Sequence, residues 1–236
     1  MREPKFFRRF DYNRDRLPNS FLASMDRVET IDEARNCSGL SIGYPGWALL
    51  YYLVLSTIDP EQETLVIETG TNFGASTIVL AQALSDSGAH GHVHTIEIDE
   101  QTHEKAKSQF AQSGVGDRIT AHLGDAKAAL PSVLDSIPQV DVAFLDGCHL
   151  LDDVVAEFRA VRAKLTPKSL VIFDNTYLIA EPHEDQRVHG ALGAIVDEFG
   201  GNVVNFPSVS WYTPGMAIWQ SQPFDMWPPP IRKSQL

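Results

Sequence analysis

The chain has 236 residues, 43% of them apolar and 21% charged, which suffices for one sizeable α/β domain with a closed core. Its net charge is −12, and a local +3 over residues 1–16 leaves −15 on the remainder. A body this acidic repels phosphate backbones, which argues against nucleic-acid substrates.

The longest apolar run, Trp47–Leu55, is too short to span a bilayer, and MREPKFFRRF lacks the apolar stretch of a signal peptide. Two cysteines without a CxxC pair, Cys37 and Cys148, argue against a disulfide framework or structural zinc. The expectation is a cytoplasmic protein. The basic, Phe-rich start reads as a partly ordered leader, with a partner-binding arm or lid as the alternative.

No internal repeat or Pro/Gly/Ser-rich linker divides the chain. Leu17, Phe21, Met25 and Val28 predict a helix over 17–29, starting near Asn19 or Ser20. A second helix is expected from Pro45-Gly46 to about Thr57. Strands and helices then alternate. TLVIE (64–68), VHTIEI (93–98), RITAHL (118–123), QVDVAFLD (139–146) and SLVIFD (169–174) read as strands. Helices are expected over 75–84, 101–112, 126–135, 150–164 and 188–199. NVVNF (202–206) and GMAIW (215–219) are the last strands. The alternation predicts a Rossmann-like, doubly wound, mostly parallel seven-stranded sheet with helices on both faces. The last two strands are joined by too few residues for a helical crossover, so they should form an antiparallel hairpin. The tail WPPPIRKSQL reads as an extended surface segment.

Ligands of such sheets gather beyond the carboxyl ends of the strands. Here those ends are Glu68-Thr-Gly70, Glu97-Ile-Asp99, Gly124-Asp125, Asp146-Gly147 and Asp174-Asn175. Every one carries an acid. Five acids on one edge repel one another unless something positive lies among them, which points to a cationic ligand or a metal ion. ETGTNFGAS (68–76) is a glycine-rich strand-to-helix turn spaced GxxxG, with Asn72 where a pyrophosphate fingerprint has glycine. That suits a nucleoside better than a dinucleotide. Glu97 is placed to accept both ribose hydroxyls, and Asp125 to meet an adenine amino group. The competing reading makes Glu97 and Asp125 caps of the following helices.

These segments, VIETGTNFGAS, TIEIDE, HLGDA, FLDGCH and IFDNT, resemble those of class I S-adenosylmethionine-dependent methyltransferases. Among these the chain is most similar to small-molecule O-methyltransferases that need a divalent ion, the catechol O-methyltransferase type and its natural-product relatives. The resemblance covers roughly 40–220, leaving 1–39 as a helical or lid extension and 221–236 as a Pro-rich tail. It implies that Glu68, Gly70, Thr71 and Ser76 shape the methionine and ribose end. Glu97 would hold the ribose, Asp125 and Ala126 the adenine. SIGYPGW (41–47) would lie over the cofactor through Gly43, although Tyr44-Pro45 departs from the family pattern. It further implies Mg²⁺, or another divalent cation, on Asp146, Asp174 and Asn175. His149, one helical turn beyond Asp146, would be the general base. The catechol enzymes have lysine there, whereas related sugar and antibiotic methyltransferases often have histidine.

The implied function is methyl transfer from S-adenosylmethionine to a hydroxyl of a small molecule, with no nucleic-acid or membrane partner and a homo-oligomer left open. A metal-independent methyltransferase, an NAD-binding oxidoreductase and a non-catalytic nucleoside-binding protein are the alternatives. His90, His92 and His94 are expected to be solvated residues at a strand start. Residues 176–187, with His183, Glu181, Glu184 and Asp185, and His189 beyond them, are candidates to cover the acceptor, and Trp211 and Tyr212 to line an aromatic pocket. Cys148 lacks the neighbours of a nucleophilic thiol.

Overall fold

The computed structural model describes residues 19–43, 46–59, 61–176, 187–206, 209 and 215–221. The leader, Tyr44-Pro45, the proposed acceptor cover at 177–186, Trp211, Tyr212 and the Pro-rich tail lie outside these residues.

Three helices open the described chain: α1 (Ser20–Asp26), α2 (Ile31–Ser38) and α3 (Gly46–Thr57). The first is shorter than its apolar spacing predicted. Asn19 caps it, its side chain accepting the Phe21 and Leu22 amides. The second was not anticipated, although its start carries a readable signal. Thr30 and Glu33 form a reciprocal capping box, and Gly39 ends the helix in the left-handed conformation. The third is buried on most of its circumference, as an all-apolar helix must be.

Then follow β1 (Thr64–Thr69), α4 (Ala75–Ser87), β2 (Gly91–Glu97), α5 (Glu100–Gln112), β3 (Ile119–Leu123), α6 (Ala126–Asp135), β4 (Val140–Leu145), α7 (Leu151–Arg162), β5 (Leu165–Asp174), α8 (Arg187–Phe199), β6 (Asn202–Phe206) and β7 (Met216–Gln220). The seven strands form one sheet in the order β3-β2-β1-β4-β5-β7-β6. Strands β1 to β5 pair in parallel, and β7 runs antiparallel to both β5 and β6. The expected architecture is therefore observed, including the antiparallel terminal pair. The more apolar β7 lies inside and the more polar β6 takes the edge, where one face meets water.

Two cores flank the sheet. On one face Val66, Val93, Val142, Phe144 and Ile172 pack with α3, α4 and α5, and Leu22 and Met25 of α1 join them. On the other, Leu65, Ile67, Ala143, Val171 and Phe173 pack with α6, α7 and α8. All six residues of β1 are buried, as expected of a central parallel strand covered on both sides. In-register pairing of Thr69 with Leu145 sets the end of β1 beside that of β4, and this creates the site.

The histidine expectation is met at His90, exposed ahead of β2, and corrected at the other two. His92 and His94 lie within β2 and are partly buried, not solvated. The His94 and His122 rings stack across β2 and β3, with Nδ1 and Nε2 3.2 Å apart. Burial pushes His94 down to about 4, so the pair is neutral near pH 7.

Candidate active site

A cavity of about 670 Å³ opens at the carboxyl ends of the parallel strands, a size suited to a nucleoside-sized ligand. All five strand ends supply lining: Gly70 and Asn72 after β1, Glu97 and Ile98 at β2, Gly124 to Lys127 after β3, Asp146 to His149 after β4, and Asp174 with Asn175 at β5. Gly39, Leu40 and Ser41 complete the wall from the α2 end.

The glycine at 70 is required by proximity. Its φ is +81°, and a Cβ there would collide with the Asp146 carbonyl. The first turn and the loop after β4 thus touch, which places Glu97 and Asp146 in one cavity. Glu97 is 8% exposed and held at both oxygens: Oε2 accepts the Asn72 N–H at 2.8 Å and Oε1 the Asp99 N–H at 2.9 Å. It does not cap α5; Asp99 does, accepting the Thr102 amide. Asp125 both lines the cavity and caps α6, accepting the Lys127 and Ala128 amides. The cap reading therefore holds for Asp125 and fails for Glu97.

Glu68, Thr71, Ser76 and Gly43 are buried and do not line the cavity. Glu68 lies beneath the turn, where its carboxyl accepts the Thr77 hydroxyl, and burial pushes its pKa up to about 7. The Thr71 hydroxyl pairs with that of Thr95 at 2.5 Å. Gly43 accepts the Trp47 amide at the start of α3. The first three belong to the scaffold of the turn and Gly43 to the start of α3.

Asp146, His149 and Asn175 form a compact set. His149 Nε2 lies 3.2 Å from Asp146 Oδ1 and 3.0 Å from Asn175 Nδ2, and Nδ2 also lies 3.3 Å from Asp146 Oδ1. Asp174 is 2% exposed, and its Oδ1 has no hydrogen-bond partner among the described residues. Burial, and then the Asp146 charge, push Asp174 well above the usual carboxylate range. Burial raises Asp146 too, against the lowering effect of His149 and Asn175. A buried carboxylate repelled by a partly buried one calls for a proton or a cation.

An orphaned, buried carboxylate oxygen beside a second carboxylate suits a hard divalent ion, and the carbonyl oxygen of Asn175 supplies a neutral third donor once its amide turns over. The side chains present fit such an ion. Among the described residues no group of three or more His, Cys, Asp or Glu side chains is arranged to hold a metal, so any such site depends on that amide and on water or substrate.

Sequence reasoning missed Glu157. It is 2% exposed on α7, accepts the Thr69 hydroxyl at 2.7 Å and bonds the Cys148 backbone amide. It therefore braces the loop carrying Asp146 and His149. The available signal was an acid on the same helix face as Val154, Val161 and Phe158. Cys148 donates to Asp153 at 2.8 Å, and burial followed by that carboxylate pushes its thiol up, consistent with a non-nucleophilic role. Lys127 on the cavity wall is ion-paired with Asp153 at 2.5 Å.

A methyltransferase-domain family model matches residues 67–176, the stretch from β1 to the turn after β5. Residues 67–176 are thus similar to a methyltransferase domain. Solved structures of similar fold include the O-methyltransferase TomG of Streptomyces achromogenes, involved in tomaymycin synthesis and solved with S-adenosylmethionine. Identity is 22%, coverage 87% of this chain and 91% of that one, and the TM-score 0.70. An O-methyltransferase of Bacillus cereus in complex with S-adenosylhomocysteine shares 21% identity, over 87% and 92% of the two chains, with a TM-score of 0.69. A curated relative, the protein-L-isoaspartate O-methyltransferase of Staphylothermus marinus, is 32% identical over 81 residues. That match covers 34% of this chain and spans 36% of the relative's length. The cavity lies within the matched stretch apart from its Gly39–Ser41 wall. No helix among the described residues is long and apolar enough to cross a membrane.

Proposed function

We propose that this protein is an S-adenosylmethionine-dependent O-methyltransferase acting on a small hydroxylated molecule, with residues 40–220 as its catalytic domain. The observation that carries the reading is the meeting of Glu97, Asp125 and the Asp146–His149 pair in one cavity. Glu97, already oriented by two backbone amides, has lone pairs left for both ribose hydroxyls. Asp125 and Ala126 border the adenine end, and Gly70 lets the backbone approach. Glu68, Thr71 and Ser76 act from beneath by fixing the turn, and Gly43 anchors the roof segment to α3.

In this reading the acceptor hydroxyl gives its proton to the His149 imidazole as its oxygen attacks the sulfonium methyl in line. The new O–CH₃ bond forms as the S–CH₃ bond breaks, and the bonding pair stays on sulfur as a neutral thioether. Asp146 holds the imidazole and stabilises its protonated form. Asp146, Asp174 and Asn175 would hold Mg²⁺, which when bound orients and acidifies the acceptor.

Calorimetric titration with S-adenosylmethionine and with NAD tests the cofactor assignment. NAD binding without S-adenosylmethionine binding would replace the reading with an oxidoreductase. A metal-independent methyltransferase is the second reading, favoured by the hydrogen bonds that already close Asp146, His149 and Asn175 on one another. Full turnover in excess chelator decides for it.

A further inference from the structure

Asn72 stands where three walls of the cavity meet. Its φ of +49° is left-handed, a conformation that asparagine tolerates better than most residues with a Cβ. From there its backbone N–H donates to Glu97 at 2.8 Å, and its side-chain Nδ2 donates to the Gly39 carbonyl at 2.9 Å. Gly39 ends α2 with φ +67°, and a Cβ on it would run into the Asn72 amide. The next residue, Leu40, is also left-handed at φ +62° and 41% exposed, so burial does not offset its backbone strain. A bulky residue persists in that region only where its surroundings over-determine it. Gly39, Leu40 and Ser41 line the cavity together with Asn72 and Glu97.

We propose that Asn72 is a positioning residue that latches the Gly39–Leu40–Ser41 segment over the cofactor cavity while aiming the Glu97 carboxylate into it. The proposal rests on the reading of that cavity as the S-adenosylmethionine site. Side-chain chemistry explains why this position is not glycine. Glycine reaches the left-handed region freely but has no amide to donate. Aspartate has the shape and backbone tolerance of asparagine, yet presents an acceptor to the Gly39 carbonyl. Alanine has neither the donor nor the tolerance. Asparagine meets all three demands: positive φ, reach and a donor. The result is mechanical coupling between the α2 end, the glycine-rich turn and the ribose-facing acid, three segments far apart in sequence.

The test uses the full chain, wild type against Asn72→Gly and Asn72→Asp, with hydrogen–deuterium exchange and S-adenosylmethionine titration. Asn72→Gly keeps the backbone bond to Glu97 and removes only the latch. Without cofactor, amide exchange over residues 39–43 should rise in both variants. The S-adenosylmethionine Kd should rise about 3–10-fold in Asn72→Gly, the scale of one neutral hydrogen bond, and at least as much in Asn72→Asp. The KM for S-adenosylmethionine should rise by more than kcat falls; general destabilisation would lower kcat and leave KM in place. Unchanged exchange over 39–43 in Asn72→Gly overturns the latch whatever the cofactor is. Raised exchange with unchanged affinity overturns its link to cofactor binding, and wild-type affinity in Asn72→Asp overturns the hydrogen bond as its cause. Raised exchange in the variants together with a wild type that takes up no S-adenosylmethionine sinks the functional reading and, with it, the cofactor half of this proposal.

Discussion

The Glu157 carboxyl on α7 accepts the hydroxyl of Thr69, the last residue of β1, at 2.7 Å in a buried contact. The same carboxyl bonds the Cys148 amide, so one side chain ties the first turn to the loop that bears the proposed base. Gly147 lies between them, and a Cβ there would press on both Glu157 and Thr69.

Burial pushes Glu157 up to about 7 from its ordinary value of 4.5. A carboxyl whose folded pKa is raised stabilises the fold in its protonated form. That contribution is full below about pH 4.5 and is lost as pH rises through 7. Glu157→Gln should therefore gain on the wild type between pH 5 and pH 8, by on the order of 2–3 kcal/mol. Urea unfolding at several pH values measures it. A constant difference across that window would mean that Glu157 does not titrate there.

Glu97→Ala should weaken S-adenosylmethionine binding by roughly 1.5–3 kcal/mol, the scale of hydrogen bonds to a charged acceptor. It also frees the Asn72 and Asp99 amides, which water can reach at the cavity wall. Calorimetry on a folded variant reads the loss, and unchanged affinity would confine Glu97 to holding the two turns.

Asp174 can be tested without an acceptor. Mg²⁺ bound to the native state should raise the wild-type melting temperature with its concentration. Asp174→Asn should lose that response and melt higher than the metal-free wild type at neutral pH, because it removes a buried carboxyl raised by burial and by Asp146. Asp174→Ala should also lose Mg²⁺-dependent turnover and keep S-adenosylmethionine binding. A melting temperature indifferent to Mg²⁺ in the wild type counts against the ion.

His149→Ala should lower turnover by roughly 10²–10⁴-fold, the usual contribution of a positioned proton acceptor. Cofactor affinity should survive, since His149 faces Asp146 and Asn175. Wild-type turnover in the folded variant would leave His149 a polar residue ahead of α7.

The amino-acid sequence by itself determined the architecture. Apolar runs such as TLVIET and LVIF, separated by helical spacing, can bury both faces only as parallel strands between helices, and the short last connection forces an antiparallel pair. It also marked the end of each of the five parallel strands with an acid. Only the tertiary structure decided what each acid does. Asp99 caps a helix, Glu68 sits under the turn, Glu97 faces the cavity, and Asp146 and Asp174 face each other. These fates differ by strand register and by which distant amides lie within hydrogen-bond reach, which no local pattern encodes. Glu157 reaches Thr69 across 88 residues of chain, and Asn72 reaches Gly39 across 33. Asn72 looked like a missing glycine in the sequence. Its left-handed backbone and its bond to Gly39 exist only once α2 has docked beside the turn.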